Sequence, residues 1–151
     1  MLSIGKPQIN LLEKLCNAMS VSGDEGEVRR IVLEEVKPYA DEVKVDALGS
    51  VLVRKNGTGK KPLRVLLDAH MDEVGFMIVA DDGEGFFQFE VVGGIDPRHL
   101  VGKQVIVGKD HTVGVIGAKP IHMTTPEERK NTIEVDAMRI DLGPEGGDGG
   151  G

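Results

Sequence analysis

What most constrains this chain is a change in the period of its apolar residues partway along. Leu11, Leu12, Leu15, Cys16 and Met19 recur at helical spacing from Asn10 onward, and the run stops at Ser20-Val-Ser-Gly23. A second helical run carries Val28, Ile31, Val32 and Val36 as far as Lys37-Pro38, with Asp24 as predicted N-cap and Glu27 three residues on in capping-box position. After Tyr39 the period falls to two. Val43 and Val45 alternate with Glu42, Lys44 and Asp46, and a Leu48-Gly49 turn leads into Val51-Leu-Val53, which predicts a hairpin. The polar loop Asn56–Pro62 then launches Leu63-Arg-Val-Leu-Leu67, a nearly continuous apolar run of the kind expected for a strand covered on both faces. Two helices, a hairpin and a central strand predict a layered α/β unit.

Beyond Val74 the helical signal is gone. Gly75–Val79, Gly85–Val92, Gln104–Val107, Thr112–Ile116 and Asn131–Val135 are short β-type runs separated by Gly, Asp and Pro turns. That pattern predicts a small barrel or sandwich, with the break between the two parts in the turn Asp81-Asp-Gly-Glu-Gly85. The predicted division is residues 1–82, 83–142 and a tail at 143–151. Six of the nine tail residues are glycine and none is apolar, so the tail is expected to be disordered rather than packed.

Charge and cysteine content exclude several classes. With 25 acidic against 18 basic side chains the net charge is −7, and no Lys/Arg cluster offers the electrostatic term that dominates nucleic-acid affinity. No nucleic-acid partner is expected. The single cysteine, Cys16, has no partner for an internal disulfide and falls in the apolar stripe of the first helix, which predicts a buried thiol in a reducing compartment. No apolar stretch approaches the roughly 18 residues needed to span a bilayer, and the start Met-Leu-Ser-Ile-Gly-Lys-Pro lacks the order of a signal peptide. The expectation is a cytoplasmic protein with no membrane partner.

The most informative residues are Asp68-Ala-His-Met-Asp-Glu-Val-Gly-Phe-Met77, directly after the apolar run. Polar groups at the carboxyl ends of strands line the ligand crevice of open α/β sheets, and His70 and Asp72 sit at such an end. In extended chain, residues i and i+2 project to the same side, which brings the Asp72 carboxylate to the His70 imidazole. Metal-bound histidine commonly donates its free ring N–H to a carboxylate, which fixes the tautomer. Spacing alone leaves open a hydrogen-bonded surface pair, because a catalytic zinc takes three protein ligands and only the acids Asp68, Asp72 and Glu73 lie near His70 in sequence. His99, His111 and His122 fall in separate turns and are expected to be exposed or bonded to backbone.

The phrase Asp68–Met77 resembles the metal-binding strand end of the dinuclear metallo-aminopeptidases of the glutamyl/tetrahedral aminopeptidase family, some members of which have been labelled cellulase M or endo-1,4-glucanase. Ser20-Val-Ser-Gly-Asp-Glu25, Asp46-Ala-Leu-Gly-Ser50, Val92-Gly-Gly-Ile-Asp-Pro-Arg98, Gly114-Val-Ile-Gly-Ala-Lys-Pro120 and Pro126-Glu-Glu-Arg129 fall in the family's order, so the resemblance covers about residues 8 to 142. It implies a partial α/β/α metallopeptidase core followed by an inserted small β-barrel domain through which copies assemble. It further implies that His70 is the ligand of one of two divalent cations, zinc or cobalt. Asp72 would serve catalysis by orienting His70, and the substrate would be a peptide losing its N-terminal residue.

The family's bridging Asp, its Glu-Glu pair, a further carboxylate ligand and its final His have no match in this sequence. The expectation is therefore a truncated aminopeptidase, inert as a separate chain, with its unrelated end produced by a frameshift, an interrupted gene or a cloning boundary. The Leu63–Leu67 run would then lack neighbours and promote self-association. Two other readings are an assembly or regulatory module that binds full-length relatives, and a glycoside hydrolase. One Tyr and no Trp are a poor supply of sugar-binding platforms for the last.

Overall fold

The computed structural model describes residues 3–143, so the glycine-rich end from Pro144 lies outside the described residues. The chain divides into two compact units, Met1–Glu73 and Val74–Gly151. No helix is long and apolar enough to cross a membrane, among the described residues.

In the first unit, helix α1 spans Lys6–Asn17 and helix α2 spans Gly26–Val36. The Gln8 side chain accepts the Gly5 N–H at 3.0 Å, and Pro7 sits in the first turn of α1, where its missing N–H costs nothing. Helix α2 starts later than the sequence suggests, with Glu25 in the N-cap place and no side-chain cap bond. The corner between the helices takes the carboxylates instead. Glu27 Oε2 accepts the Met19 N–H at 3.0 Å, and Glu25 Oε1 accepts the Gly23 N–H at 2.6 Å. The predicted Asp24–Glu27 capping box does not form: Glu25 holds the N-cap place, the Asp24 N–H goes to the Val21 carbonyl, and Glu27 takes the Met19 N–H.

Strands β1, Glu42–Val45, and β2, Val51–Arg54, form the predicted antiparallel hairpin, with Val43 opposite Val53 and Val45 opposite Val51. Asp46 builds the turn. Its Oδ1 accepts the N–H groups of Leu48 and Ser50, both at 2.9 Å, and Gly49 takes the left-handed φ of +89° that a side chain disfavours.

Two expectations for this unit fail. Cys16 is exposed, and no residue of α1 is buried: Leu11 and Leu15 of its apolar stripe are only half-buried. Leu63–Leu67 forms no strand. A strand exists only through ladder partners, and none lies beside this run among the described residues; Leu63, Leu66 and Leu67 are about nine-tenths exposed, at 90%, 89% and 92%.

The second unit is a five-stranded antiparallel sheet. Its strands are β3 (Gly75–Asp81), β4 (Phe86–Val92), β5 (Gln104–Val107), β6 (Thr112–Ala118) and β7 (Met138–Asp141), in the order β3-β4-β7-β6-β5. The turn Asp81–Gly85 joins β3 to β4 as a hairpin, with Gly83 and Gly85 at positive φ and the Gly83 N–H bonded to Asp81 Oδ1 at 2.7 Å. The division into compact units falls after Glu73, and β3 pairs with β4 from Gly75 onward.

Asn131–Val135, predicted as a strand, is irregular and gives way to a short 3-10 turn at Val135–Ala137. The central place between β4 and β6 belongs to β7, whose alternation buries Met138 and Ile140 completely while Arg139 and Asp141 face outward. The sheet is open, with β3 and β5 at its two ends, so the described strands make a half-barrel rather than a closed ring.

Phe89, Leu100, Ile116, Met138 and Ile140 form the core of this unit. Each fully buried side chain of this size contributes about 1.5–3 kcal/mol. The Phe76 ring meets Phe89 edge-on at 5.0 Å. Gly114 lets β7 approach β6, as a Cβ there would stand 2.6 Å from Leu142 Cδ2 and 2.9 Å from Ile140 Cγ2. Outside the core, Asp82 accepts from Arg139 Nε at 2.6 Å and from Gln88 Nε2 at 2.9 Å.

Candidate functional site

The segment that carries His70 and Asp72 is tied at its end to the corner between α1 and α2. The Glu73 N–H donates to the Ser20 carbonyl at 2.8 Å within a parallel bridge between Val21 and Glu73, and Ser20 is buried. This link sets the height at which Asp72 stands over Ser22.

His70 Nδ1 lies 2.9 Å from the Asp72 carbonyl oxygen and 3.0 Å from Asp72 Oδ1. Both partners are acceptors, so Nδ1 carries a proton, and in the neutral ring Nε2 keeps its lone pair. The His70 side chain is 85% exposed, which leaves Nε2 accessible. The i, i+2 geometry read from the sequence thus brings the pair together, and the neutral tautomer it selects is the one that ligates a cation.

The other carboxylate oxygen, Asp72 Oδ2, accepts the Ser22 hydroxyl at 2.5 Å. The Ser22 bond first and the His70 bond second hold the Asp72 carboxyl below the ordinary carboxylate value, so Asp72 is an anion at neutral pH.

Beside this pair is a polar recess of about 110 Å³ lined by Glu25, Arg29, Leu48, Gly49, Ser50, Met71 and Asp72. Arg29 reaches from α2 to the hairpin turn, where Nε donates to the Gly49 carbonyl at 2.7 Å, and Nη2 pairs with Glu25 Oε2 at 3.2 Å. The Gly23 N–H is the largest cause of the lowered Glu25 carboxyl, and Arg29 adds to it. Three stretches distant in sequence, Ser20–Glu25, Asp46–Ser50 and Asp68–Glu73, therefore converge on one place.

The sequence placed Gly49 in a turn, since an Asp three residues before a Gly marks one that needs positive φ, but gave Ser22 and Arg29 no role. For Ser22 and Arg29 the partners lie 50 and 20 residues away, beyond any local pattern.

The remaining histidines lie in the second unit. His99 and His122 occupy 3-10 turns, and His111 closes the β5–β6 turn at φ 55°. Among the described residues no group of three or more His, Cys, Asp or Glu could hold a metal ion. His70 fits the chemistry of one cation ligand. The residues present do not fit a complete site, which needs at least three.

Residues 49–148 match the M42 glutamyl aminopeptidase family. Lysyl aminopeptidase of Pyrococcus furiosus is 31% identical over 137 residues, which is 88% of this chain and 39% of that protein. The crystal structure of a TET aminopeptidase from a marine sediment Thaumarchaeota archaeon matches with a TM-score of 0.82 at 39% identity, over 93% of this chain and 40% of that one. The TET1 peptidase of Pyrococcus horikoshii, which can assemble into a tetrahedron or a large octahedral shell, matches with a TM-score of 0.75 at 37% identity, over 92% of this chain and 42% of that one. The chain spans less than half the length of these relatives. With the match running from Gly49 through the His70–Asp72 pair and across the five-stranded sheet, this chain belongs to the M42 glutamyl aminopeptidase family.

Proposed function

We propose that the chain supplies one histidine ligand, His70, and the carboxylate that orients it, Asp72, to a metal-dependent aminopeptidase centre, and that the 151-residue polypeptide by itself turns over no substrate. The observation that supports this reading is the His70 Nδ1–Asp72 Oδ1 bond at 3.0 Å, which leaves Nε2 as an exposed lone-pair donor. The family match supports peptides as the substrate class and a divalent cation of the zinc or cobalt kind as the cofactor. When bound, such a cation supplies activation of the water that cleaves the N-terminal peptide bond. The chain's own part is to orient the His70 ring through Nδ1 and to leave Nε2 pointing outward. The ligand count among the described residues supports inactivity of the chain alone, because one imidazole cannot define an open coordination position.

Zinc titration of the purified chain, followed by assay on an aminoacyl anilide with added zinc or cobalt, tests both halves. Weak zinc binding that is lost in His70→Ala, with no anilide release, is the expected result. Stoichiometric tight zinc with steady release would show a ligand set this reading lacks. A cytoplasmic setting suits the single thiol.

A second reading is favoured by the second unit, which has its own core and an open sheet. In it the chain joins copies of itself or full-length relatives through this sheet, a reading supported by its likeness to the assembling TET1 peptidase. Multi-angle light scattering that returns a monomer at all concentrations would remove it.

A further inference from the structure

We infer that Ser22 is a positioning residue for the His70–Asp72 pair: its hydroxyl fixes the rotation of the Asp72 carboxylate and thereby the tautomer of His70. The inference rests on the proposed role of His70 but concerns only the imidazole's own state.

A carboxylate beside an imidazole can turn about its terminal bond, which has a broad, roughly two-fold preference. A donor on one oxygen removes that freedom. Here Oδ2 is taken by Ser22 Oγ at 2.5 Å, which leaves Oδ1 facing Nδ1. Ser22 itself is held by the corner, because its neighbours are tied to the same segment through the Glu73 N–H to Ser20 carbonyl bond and the Val21–Glu73 bridge. The hydroxyl and the carboxylate it grips are thus mounted on two backbones already bonded together, one residue from Asp72 and within two residues of Ser22. The bond shares no atom with the Arg29–Glu25 pair. Removing the hydroxyl frees Oδ2 and lets the carboxylate turn. His70 Nδ1 then keeps only the Asp72 carbonyl as a fixed acceptor.

The test is a long-range ¹H–¹⁵N correlation spectrum of the imidazoles in the whole, metal-free chain, recorded well above the ordinary histidine pKa of about 6.5. His70 is assigned by His70→Ala. The parent chain is expected to show a protonated-type Nδ1 and a lone-pair-type Nε2. In Ser22→Ala both signals move toward the averaged values of a tautomer mixture, while Ser22→Thr keeps the parent pattern. Retained exchange protection of the Glu73 amide shows that the corner is intact. Where Ser22→Ala releases that amide, Ser22→Cys, similar in size and a weaker donor, decides: intermediate shifts support the inference and unchanged shifts overturn it. A Ser22→Ala spectrum identical to the parent, or a Ser22→Thr spectrum displaced as far as Ser22→Ala, overturns it as well. No metal or substrate enters the experiment, so failure here leaves the metal titration to judge the proposed function separately.

Discussion

The two units handle apolar surface in opposite ways. The second encloses Ile116, Met138 and Ile140 completely and packs Phe89 and Leu100 around them. The first buries only Ala18, Val28 and Ser20 among its described residues, and it leaves Leu63, Leu66 and Leu67 in solvent. What organises the first unit is polar: carboxylates on turn N–H groups, a guanidinium on a carbonyl, a hydroxyl on a carboxylate. Such bonds give direction but little net stability, about 0.5–1.5 kcal/mol each. A sheet with a closed core can hold its shape through contacts of its own. A set of elements joined mainly at turns has its geometry defined while its faces stay open to another surface.

The largest expected effect lies in the second unit. Ile116→Ala should cost about 2–5 kcal/mol, since the side chain has no exposure and its site is enclosed. Phenylalanine near-ultraviolet dichroism during urea unfolding reads this unit selectively, because Phe76, Phe86, Phe87 and Phe89 all lie in it. A loss below 1 kcal/mol would break the contrast between the units. Next comes Gly49→Ala in the first unit, about 1–3 kcal/mol, from a φ of +89° and a Cβ that would collide with the Arg29 guanidinium. Faster exchange of the β1 and β2 amides, with those of β6 and β7 unchanged, is the expected signature.

Acid sharpens the comparison further. Glu25, Asp41 and Asp46 in the first unit have carboxyls lowered chiefly by the backbone N–H groups of Gly23, Asn56 and Ser50. A folded-state pKa below the unfolded one means that the unfolded chain binds more protons. The stabilisation is therefore complete above about pH 5 and is lost as pH falls through the carboxylate range toward the folded values. In the second unit Asp82 is lowered chiefly by Arg139, but the apolar core does not titrate. Amide exchange on descent from pH 6 to pH 3 should release the β1–β2 hairpin before β6–β7, and the reverse order would contradict the contrast. The smallest effect belongs to Leu66→Lys: within about 0.5 kcal/mol in stability, because the side chain contacts little. Light scattering at high concentration should nevertheless show less association than in the parent chain.

Legibility in the sequence followed the range of the interactions. The β1–β2 hairpin was readable because Asp46 and Gly49 specify its turn within four residues. Most of β3 to β6 was readable because Gly and Asp punctuate short alternating runs. Leu63–Leu67 carried a strong strand pattern and formed none, since propensity cannot replace a ladder partner. The last strand was misplaced by a few residues because Asn131–Val135 and Met138–Asp141 alternate equally well. Only the space between β4 and β6 selects Met138 and Ile140. At the site, the His70–Asp72 contact followed from a spacing of two. Ser22 and Arg29 did not, because their partners arrive through the fold.

The Arg29 bond to the Gly49 carbonyl has a consequence for how this sequence can change. A guanidinium that holds a main-chain oxygen reads the path of the chain and is indifferent to the side chains on either side. Leu48 and Ser50 can therefore drift while the link persists. Arg29 and Gly49 are constrained together: a side chain at position 49 strains the φ of +89° and displaces the Arg29 guanidinium, and a shorter residue at position 29 leaves the turn without its tie to α2. The two positions are expected to be retained together, which makes the helix and the turn one inherited unit.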